Sequence, residues 1–413
     1  MSLEKLESLR QDMKKCVRCS LCKLVPMPTI QQTKFTSACP PVDEYAFHAY
    51  SGGGMNVMAL ALLDGRIGVD HDLASIVSAC TACGMCDVAC KFIMAAERQE
   101  VILALKEHIV EMGLGAAPVA EPTPDLPHWA EGMQLKTLPG SMAQVLLFAG
   151  AGARHDPQHA ASARKLAELL RRAHVDFGIL DPEPQGGIDS YWTGRRRVFA
   201  DQARAVVEAL DQAGVKTVVT LCGEDLGMLR SKVPAAFRAP KAKVVHASEF
   251  LLALIQRGRL RLGRPVDRCV TYHDPCYLGR QSEPPLAWRG EERQTLGVMR
   301  YFTPPKPINY GTGGVFDAPR QVLGRIPGLH FVEMHRIREY AYCCGGGGGV
   351  PEAHPNVARS AALQRVAEAR DVGAEALVTS CQHCRGNLTR WQEADATPVI
   401  DLVDLVYIAA GMG

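Results

Sequence analysis

Eight of the fifteen cysteines lie within the first 90 residues, and six of these recur at intervals of three. The first run is Cys16, Cys19 and Cys22, followed by a Cys-Pro pair at Cys39, and the second run is Cys80, Cys83, Cys86 and Cys90. Thiolates are soft ligands that suit iron–sulfur clusters. Three of them on one tight loop can bind three corners of a cubane, and a distant cysteine can supply the fourth. The two runs therefore predict two [4Fe–4S] cubane clusters.

The fourth ligand of each cubane is predicted to come from the other run, because in bacterial two-cluster ferredoxins the fourth cysteine of each run binds the other cluster. We therefore expect one cubane on Cys16, Cys19, Cys22 and Cys90, and the other on Cys80, Cys83, Cys86 and Cys39. In a ferredoxin run the fourth cysteine would stand at the position of Pro26, and Cys39 comes thirteen residues after it. We therefore interpret the intervening segment as an insertion in the loop. Two zinc sites, or a chance group of buried thiols, are the alternatives.

A third group of cysteines lies in the C-terminal part of the chain. It consists of Asp274-Pro275-Cys276, Cys343-Cys344-Gly345 and Cys381-x-x-Cys384. Adjacent cysteines followed by five glycines are not expected inside a helix or strand, because glycine weakens both. A backbone without side chains can instead pass close to a bulky ligand. His273 and His383 flank these cysteines, and they either hydrogen-bond cluster sulfur or pack as ordinary side chains.

These motifs resemble those of the CCG-domain iron–sulfur oxidoreductases, which include subunits of heterodisulfide reductase. In that family a single cysteine, a CC pair and a C-x-x-C form one site, and in heterodisulfide reductase all five cysteines bind a noncubane [4Fe–4S] cluster. The resemblance implies such a cluster on Cys276, Cys343, Cys344, Cys381 and Cys384. The N-terminal part looks like the ferredoxin-type subunit, so the chain resembles a fusion of the two. The segments KCVRCSLCKLVPMPTI and HAYSGGGMNVMALALLDGRI are similar to the related subunit of class II benzoyl-CoA reductase complexes.

The spacing of the third group departs from the family at one place. Between Cys344 and Cys381 lie 36 residues, which fits, but 66 residues separate Cys276 from Cys343. The family runs from a YLGR segment almost directly into a VYDAPR-like segment, whereas here YLGR ends at Arg280 and VFDAPR begins at Val315. Residues 281–314 are therefore interpreted as an insertion. It either docks a partner or covers the site, or it is tolerated without a role.

The half that precedes this site repeats the family pattern without most of its ligands. The first cysteine of the pattern aligns with Ala151, the CC pair with Gln185 and Gly186, and the C-x-x-C with Cys222 and Asp225. Because four of the five ligands are missing, we predict no cluster in this repeat. Cys222 and Cys269 are interpreted as buried structural thiols.

The elements that must position these cysteines change in character along the chain. Residues 1–115 contain the two runs and end in a helical pattern, and residues 116–142 are rich in Pro, Ala and Gly, which predicts a linker. Beyond it, short β-rich runs alternate with helical stretches, which indicates α/β units with parallel sheets. We predict an α+β multidomain fold: an α-helical ferredoxin-like two-cluster domain, then two α/β CCG-type repeats, one degenerate (143–262) and one intact (263–413).

Composition narrows the class of protein. The chain has 46 basic and 44 acidic residues, and its net charge of +2 argues against a broad nucleic-acid interface. No run of eighteen apolar residues occurs, and the charged start MSLEKLESLRQDMKK lacks the apolar core of a signal peptide. We therefore expect a cytoplasmic protein without a transmembrane segment. In a reducing compartment, fifteen cysteines indicate metal binding or redox chemistry before structural disulfides.

Two functions are compatible with these motifs. In the first, the chain is an electron-transfer subunit of a larger complex, in which two cubanes relay electrons to or from the CCG-site cluster and the partners are flavin-containing or other redox subunits. In the second, it is a catalytic disulfide reductase that uses the single CCG cluster. Heterodisulfide reductase uses two facing noncubane clusters, so we favour the relay, although a second copy in a homodimer could complete the other mechanism. A sensor or scaffold is disfavoured, because nothing resembles an output domain.

Overall fold

A computed structural model describes residues 2–26, 32–115, 128–295, 299–393 and 397–413. The N-terminal part is helical, with helices α1 (Ser2–Ser8), α2 (Arg10–Lys14), α3 (Pro40–Tyr45), α4 (Gly52–Leu63), α5 (His71–Ser78), α6 (Met85–Met94) and α7 (Gln99–Glu111). Ser51 caps α4 by accepting a hydrogen bond from the Gly54 N–H (3.0 Å), and Asp70 caps α5 in the same way. The apolar faces of α1, α4, α5 and α7 share one small core. This core holds the loops that carry the two cysteine runs.

The first sheet lies within residues 136–246 and is entirely parallel. Its strands are β1 (Lys136–Leu138), β2 (Val145–Phe148), β3 (Phe177–Leu180), β4 (Thr217–Thr220) and β5 (Lys243–His246), in the order β1-β3-β2-β4-β5. The accompanying helices are α8 (Pro157–Arg172), α9 (Ile188–Trp192), α10 (Arg196–Gln212), α11 (Gly223–Gly227), α12 (Val233–Ala236) and α13 (Ala247–Gln256). Strands β2 and β3 are buried along their whole length, as expected for a parallel sheet covered by helices.

The second sheet is also parallel. Its strands are β6 (Arg268–Tyr272), β9 (Leu329–Phe331), β10 (Ala376–Thr379) and β11 (Val399–Asp401), in the order β11-β10-β6-β9. Its helices are α14 (Asp317–Leu323), α15 (Val350–Ala353), α16 (Pro355–Asp371), α17 (Gln382–Arg390) and α18 (Leu402–Ala409). The predicted insertion contains an antiparallel hairpin of β7 (Glu291–Thr295) and β8 (Met299–Thr303). It therefore has regular structure of its own.

The two parallel sheets repeat one topology. The order β3-β2-β4-β5 in the first sheet corresponds to β9-β6-β10-β11 in the second, and β1 is an addition at one edge. Buried side chains of both sheets belong to a single apolar core, which includes Leu147 of β2, Val378 of β10, Leu166 of α8 and Leu405 of α18. The ends of β2, β4, β6 and β10 are the positions where open α/β sheets bind ligands. Each is followed by one of the motifs identified in the sequence.

The predicted linker, 116–142, is structured in its second part. Residues 116–127 lie outside the described residues. Beyond them, Trp129 and Met133 are buried in the core of the sheets, and β1 pairs with β3 in parallel. The folded part of the first repeat therefore begins before residue 143. Among the described residues, no helix combines the length and the apolar character that crossing a membrane requires.

Candidate iron–sulfur sites

The first cysteine run surrounds a small cavity next to helix α6. This cavity is lined by the three cysteines of the run and by a fourth cysteine from the second run: Cys16, Cys19, Cys22 and Cys90. The run occupies a loop after α2, whereas Cys90 projects from α6. Cys19 is exposed and Cys22 is buried, so the cavity reaches from the surface into the protein. The structure thus brings together the four residues expected to bind one cubane.

The second run lies around a neighbouring cavity, which is lined by Cys39, Cys80, Cys83 and Cys86 and also by Cys22 of the first run. Cys39 directly precedes α3, and Cys86 lies in the first turn of α6. Each cavity therefore combines three cysteines from one run with the expected fourth cysteine from the other.

The two cavities are adjacent across the N-terminus of α4. Cys22 lines both. A Cβ added at Gly52 would lie 2.8 Å from the Cys86 Cβ, and one added at Gly53 would lie 3.4 Å from the Cys22 Sγ. The glycines at the start of α4 thus allow the helix to approach both cysteine sets. The positive end of its dipole points toward sites that carry negative charge when thiolates bind metal.

The C-terminal cysteines converge at the carboxyl ends of β6 and β10. The Sγ atoms of Cys344 and Cys384 are 3.2 Å apart, and Cys384 also hydrogen-bonds with Cys381. The Cys343 thiol hydrogen-bonds with those of Cys276 and Cys344. The five cysteines expected at the CCG site are therefore contiguous despite the long insertion.

Backbone amides point at the sulfur atoms of this site. Gly345 donates to Cys343, Gly346 to Cys344 and the Cys384 amide to Cys381, each at an N–S distance of 3.4 Å. At the second run, the Ala82 amide donates to Cys80 at the same distance. Such donors stabilise thiolates and metal-bound sulfur. Soft donors that converge in buried pockets, with amide partners at several of the sulfurs, fit iron–sulfur clusters.

Several of the N-terminal thiols need a metal to become ionised. Burial raises the pKa of Cys90 to about 11, and it also raises the pKa of Cys80 and of Cys86 above the usual range. Without metal these groups remain neutral at physiological pH. Cluster assembly must therefore release their protons.

The glycine run packs the CCG site against the second cysteine run. A Cβ at Gly347 would lie 2.9 Å from the Thr81 carbonyl oxygen, and one at Gly348 would lie 2.4 Å from that of Cys80. Gly348 also has a φ of +76°, which favours glycine. As a result, the Cys83 thiol hydrogen-bonds with the Cys343 thiol. Two of the predicted cluster sites thus touch through their cysteines.

His273 lies against the sulfurs of the CCG site. One of its ring nitrogens is within 4.8 Å of the Sγ atoms of Cys344 and Cys384, while its Nδ1 accepts a hydrogen bond from the Arg365 Nε at 3.0 Å. Burial lowers the pKa of His273 to about 3, so the ring is neutral and the acceptor at Nδ1 places the hydrogen on Nε2. No protein group among the described residues hydrogen-bonds this Nε2. It is therefore available to cluster sulfur.

Carboxylates occupy the corresponding position of the first repeat. Glu183 accepts hydrogen bonds from the backbone amides of Ala149 (2.9 Å) and Gly150 (2.6 Å) after β2. Asp225 fills the adjacent space, since a Cβ at Gly150 would lie 2.4 Å from its Oδ2 and one at Gly186 would lie 3.1 Å from its Oδ1. Burial raises the pKa of Glu183 to about 7 and raises that of Asp225 strongly. Ala151 is exposed. Among the described residues, the carboxylates of Glu183 and Asp225 occupy this position in place of a set of thiols.

The two remaining cysteines differ from each other. Cys269 lies within β6, where its backbone amide donates to Glu375 (2.8 Å); its thiol is half-buried, whereas a buried thiol was expected. Cys222 is buried as expected, but its Sγ is 3.8 Å from the Cys381 Sγ. The interpretation of Cys222 as a structural thiol missed this proximity. Cys222 stands at the C-x-x-C-like position of the degenerate repeat, and the topology sets this repeat opposite the intact one. That position in the sequence could have indicated the proximity of Cys222 to Cys381.

Comparison with known proteins identifies both cysteine-rich regions. A 4Fe-4S dicluster domain matches residues 12–92, which contain all eight N-terminal cysteines. A cysteine-rich domain of the CCG type matches residues 301–389 and contains the CC pair and the C-x-x-C. Cys276 lies outside this second match, on the other side of most of the insertion.

Curated relatives extend the similarity over most of the chain. A subunit of the dihydromethanophenazine:CoB–CoM heterodisulfide reductase of Methanosarcina mazei is 30% identical over 81% of this chain and 78% of its own length. The probable iron-sulfur-binding oxidoreductase FadF of Bacillus subtilis is 25% identical over 97% of this chain and 61% of its own. The EtfAB:quinone oxidoreductase of Syntrophomonas wolfei is 24% identical over 65% and 35%, respectively. With its dicluster and CCG regions in the same polypeptide, the chain belongs to the family of CCG-domain iron–sulfur oxidoreductases that includes this heterodisulfide reductase subunit.

Proposed function

We propose that the chain is the iron–sulfur electron-transfer subunit of a larger redox complex. It would hold one cubane on Cys16, Cys19, Cys22 and Cys90, a second on Cys39, Cys80, Cys83 and Cys86, and a noncubane cluster on Cys276, Cys343, Cys344, Cys381 and Cys384. When bound, these clusters supply one-electron chemistry. We also propose that the chain is divided into three parts, which are the two-cluster domain, the degenerate CCG-type repeat and the intact CCG-type repeat.

The contact between Cys83 and Cys343 is the observation that carries this proposal. It joins a cysteine of the second run to the CC pair, and Cys22 in turn lines the cavities of both N-terminal sets. Neighbouring cysteines therefore form a continuous series from the exposed Cys19 to the buried cysteines of the CCG site. A protein that used its three sites independently would not need the glycine-dependent packing that brings them into contact.

The surface around the first cysteine set suits a protein partner. Three apolar side chains near the first cavity are exposed: Val17 (64%), Phe92 (78%) and Ile93 (46%). Ile93 lines this cavity, Val17 follows the lining residue Cys16 in sequence, and Phe92 precedes Ile93. Exposed apolar side chains that cluster near a redox site are typical of docking surfaces. We propose a flavin-containing or other redox subunit as the occupant, by analogy with relatives that are subunits or oxidoreductases by name.

The alternative, catalysis of disulfide reduction, has less support. In heterodisulfide reductase two noncubane clusters face each other across the disulfide, whereas here Glu183 and Asp225 fill the corresponding position of the first repeat. A homodimer that brings two CCG sites together would be needed to restore that arrangement.

Two measurements test the proposal. Iron analysis of the purified holoprotein should give about twelve irons per chain, four for each of three clusters. An assay with reduced viologen and several disulfides should show little turnover by the chain alone. In the native complex, isolated by co-purification, the electron donor of the complex should reduce the clusters of this chain. Robust disulfide turnover by the isolated chain would refute the relay, and about eight irons would remove one assigned site.

A further inference from the structure

Cys222 lies at the CCG site although it belongs to the degenerate repeat. Its Sγ is 3.8 Å from the Cys381 Sγ, and both thiols are almost fully buried. The Glu224 carboxylate adjoins the pair, with one oxygen 3.5 Å from the Cys381 Sγ and the other 4.0 Å from the Cys222 Sγ. One donor atom from each of these three residues lies within 4.8 Å of the others. Two thiols and a carboxylate are thus enclosed together.

The separation of the two sulfurs matches that of ligands on one metal. Two thiolates bound to the same tetrahedral ion, with metal–sulfur bonds of about 2.3 Å, are about 3.8 Å apart. The Cys222–Cys381 separation equals this value. Cys381 is already assigned to the cluster by its C-x-x-C motif, so an iron bound to it is within reach of the second thiol.

The backbone holds the two cysteines in register. Cys222 directly precedes α11 and Cys381 directly precedes α17, each after the equivalent strand of its own sheet. The Gly223 amide donates to the Ser380 carbonyl oxygen at 3.1 Å, which ties the two turns together. A Cβ at Gly223 would lie 3.3 Å from the Ser380 carbonyl oxygen and 2.8 Å from the Leu278 Cβ, so glycine lets the first turn approach both the second turn and Leu278 this closely. A thiol that served only to fill space would not require it.

We propose that Cys222 binds the same iron atom as Cys381, so that the CCG site has six thiolates and is shared by both repeats. This inference rests on the proposed function only in that the site holds an iron–sulfur cluster. The degenerate repeat then contributes a ligand as well as a scaffold. The Glu224 carboxylate adjoins the two thiols and is also paired with the His383 Nδ1.

Cysteine variants of the ⁵⁷Fe-labelled holoprotein test the assignment. Cys222→Ser and Cys222→Ala should each shift the Mössbauer and EPR signals of the CCG-site cluster while the signals of both cubanes remain unchanged. Cys269→Ser is the matched control, and it should leave all signals as in the wild type. Unchanged CCG-site signals in both Cys222 variants would overturn the proposal.

A measurement on the wild-type protein avoids any folding defect of the variants. An anomalous map at the iron edge from crystals of the holoprotein should place an iron about 2.3 Å from the Cys222 Sγ. A nearest iron beyond bonding distance would refute the assignment, even if the variants lose their clusters. The proposed function fails by a different result: no CCG-site signal in the wild type, or one that persists in Cys343→Ser.

Discussion

The charge of Lys106 should raise the reduction potential of the second cubane. Lys106 is only 5% exposed, and its Nζ donates to the carbonyl oxygens of Cys80 (2.8 Å) and Gly348 (3.4 Å). The ammonium group therefore lies between the second cysteine run and the glycine run of the CCG site. Adding an electron to a cluster beside a fixed positive charge is favourable, so removal of that charge must lower the potential.

The size of the effect follows from Coulomb's law. One unit charge about 8 Å from the added electron, in a medium of effective dielectric constant about 20, contributes about 2 kcal/mol. Since about 59 mV corresponds to a tenfold change for one electron, this energy equals about 90 mV. Lys106→Gln should therefore lower the potential of the second cubane by about 90 mV. The first cubane, which is farther from this ammonium group, should shift by much less.

An EPR-monitored redox titration of the holoprotein measures both potentials in one sample. Lys106→Arg keeps the charge and should leave the potential within about 20 mV of the wild type. Lys216→Gln removes an exposed charge distant from the clusters, and it should have no measurable effect because solvent screens it. A shift below about 20 mV in Lys106→Gln, a positive shift, or an equal shift in Lys106→Arg would refute the electrostatic reasoning.

Three further outcomes are expected. Gly348→Ala should lower the melting temperature and slow electron transfer between the second cubane and the CCG site, because the new Cβ would meet the Cys80 carbonyl; Gly386→Ala, which has open space, is the control. Cys343→Ser should abolish the CCG-site EPR signal and preserve those of the cubanes, and loss of all signals would contradict the assignment of sites. Glu183, with a folded pKa of about 7 against an ordinary value of 4.5, binds its proton more tightly when folded. Stability should therefore fall as pH rises from about 4.5 to 7, by on the order of 3 kcal/mol, and denaturant titrations of Glu183→Gln should show a flatter profile.

Much of the fold and of the site could be predicted from the sequence. The alternation of β-rich and helical segments indicated two parallel sheets, and the structure shows two sheets with the same strand order. The boundary at residue 143 was less well defined, because β1 is only three residues long and pairs with a strand that begins well after it in the chain. A short edge strand leaves little periodic pattern to detect. The hairpin within 281–314 was likewise not evident from its composition.

The sequence by itself determined which cysteines form local sets, because the spacing of thiols on one loop is a property of a few consecutive residues. It also predicted that four ligand positions of the first repeat are vacant. Only the tertiary structure decided that Glu183 and Asp225 fill that position, that Cys83 meets Cys343, and that Cys222 meets Cys381. Each of these contacts joins residues from different elements. They depend on how the sheets and helices pack, and the local pattern of the chain does not specify that packing.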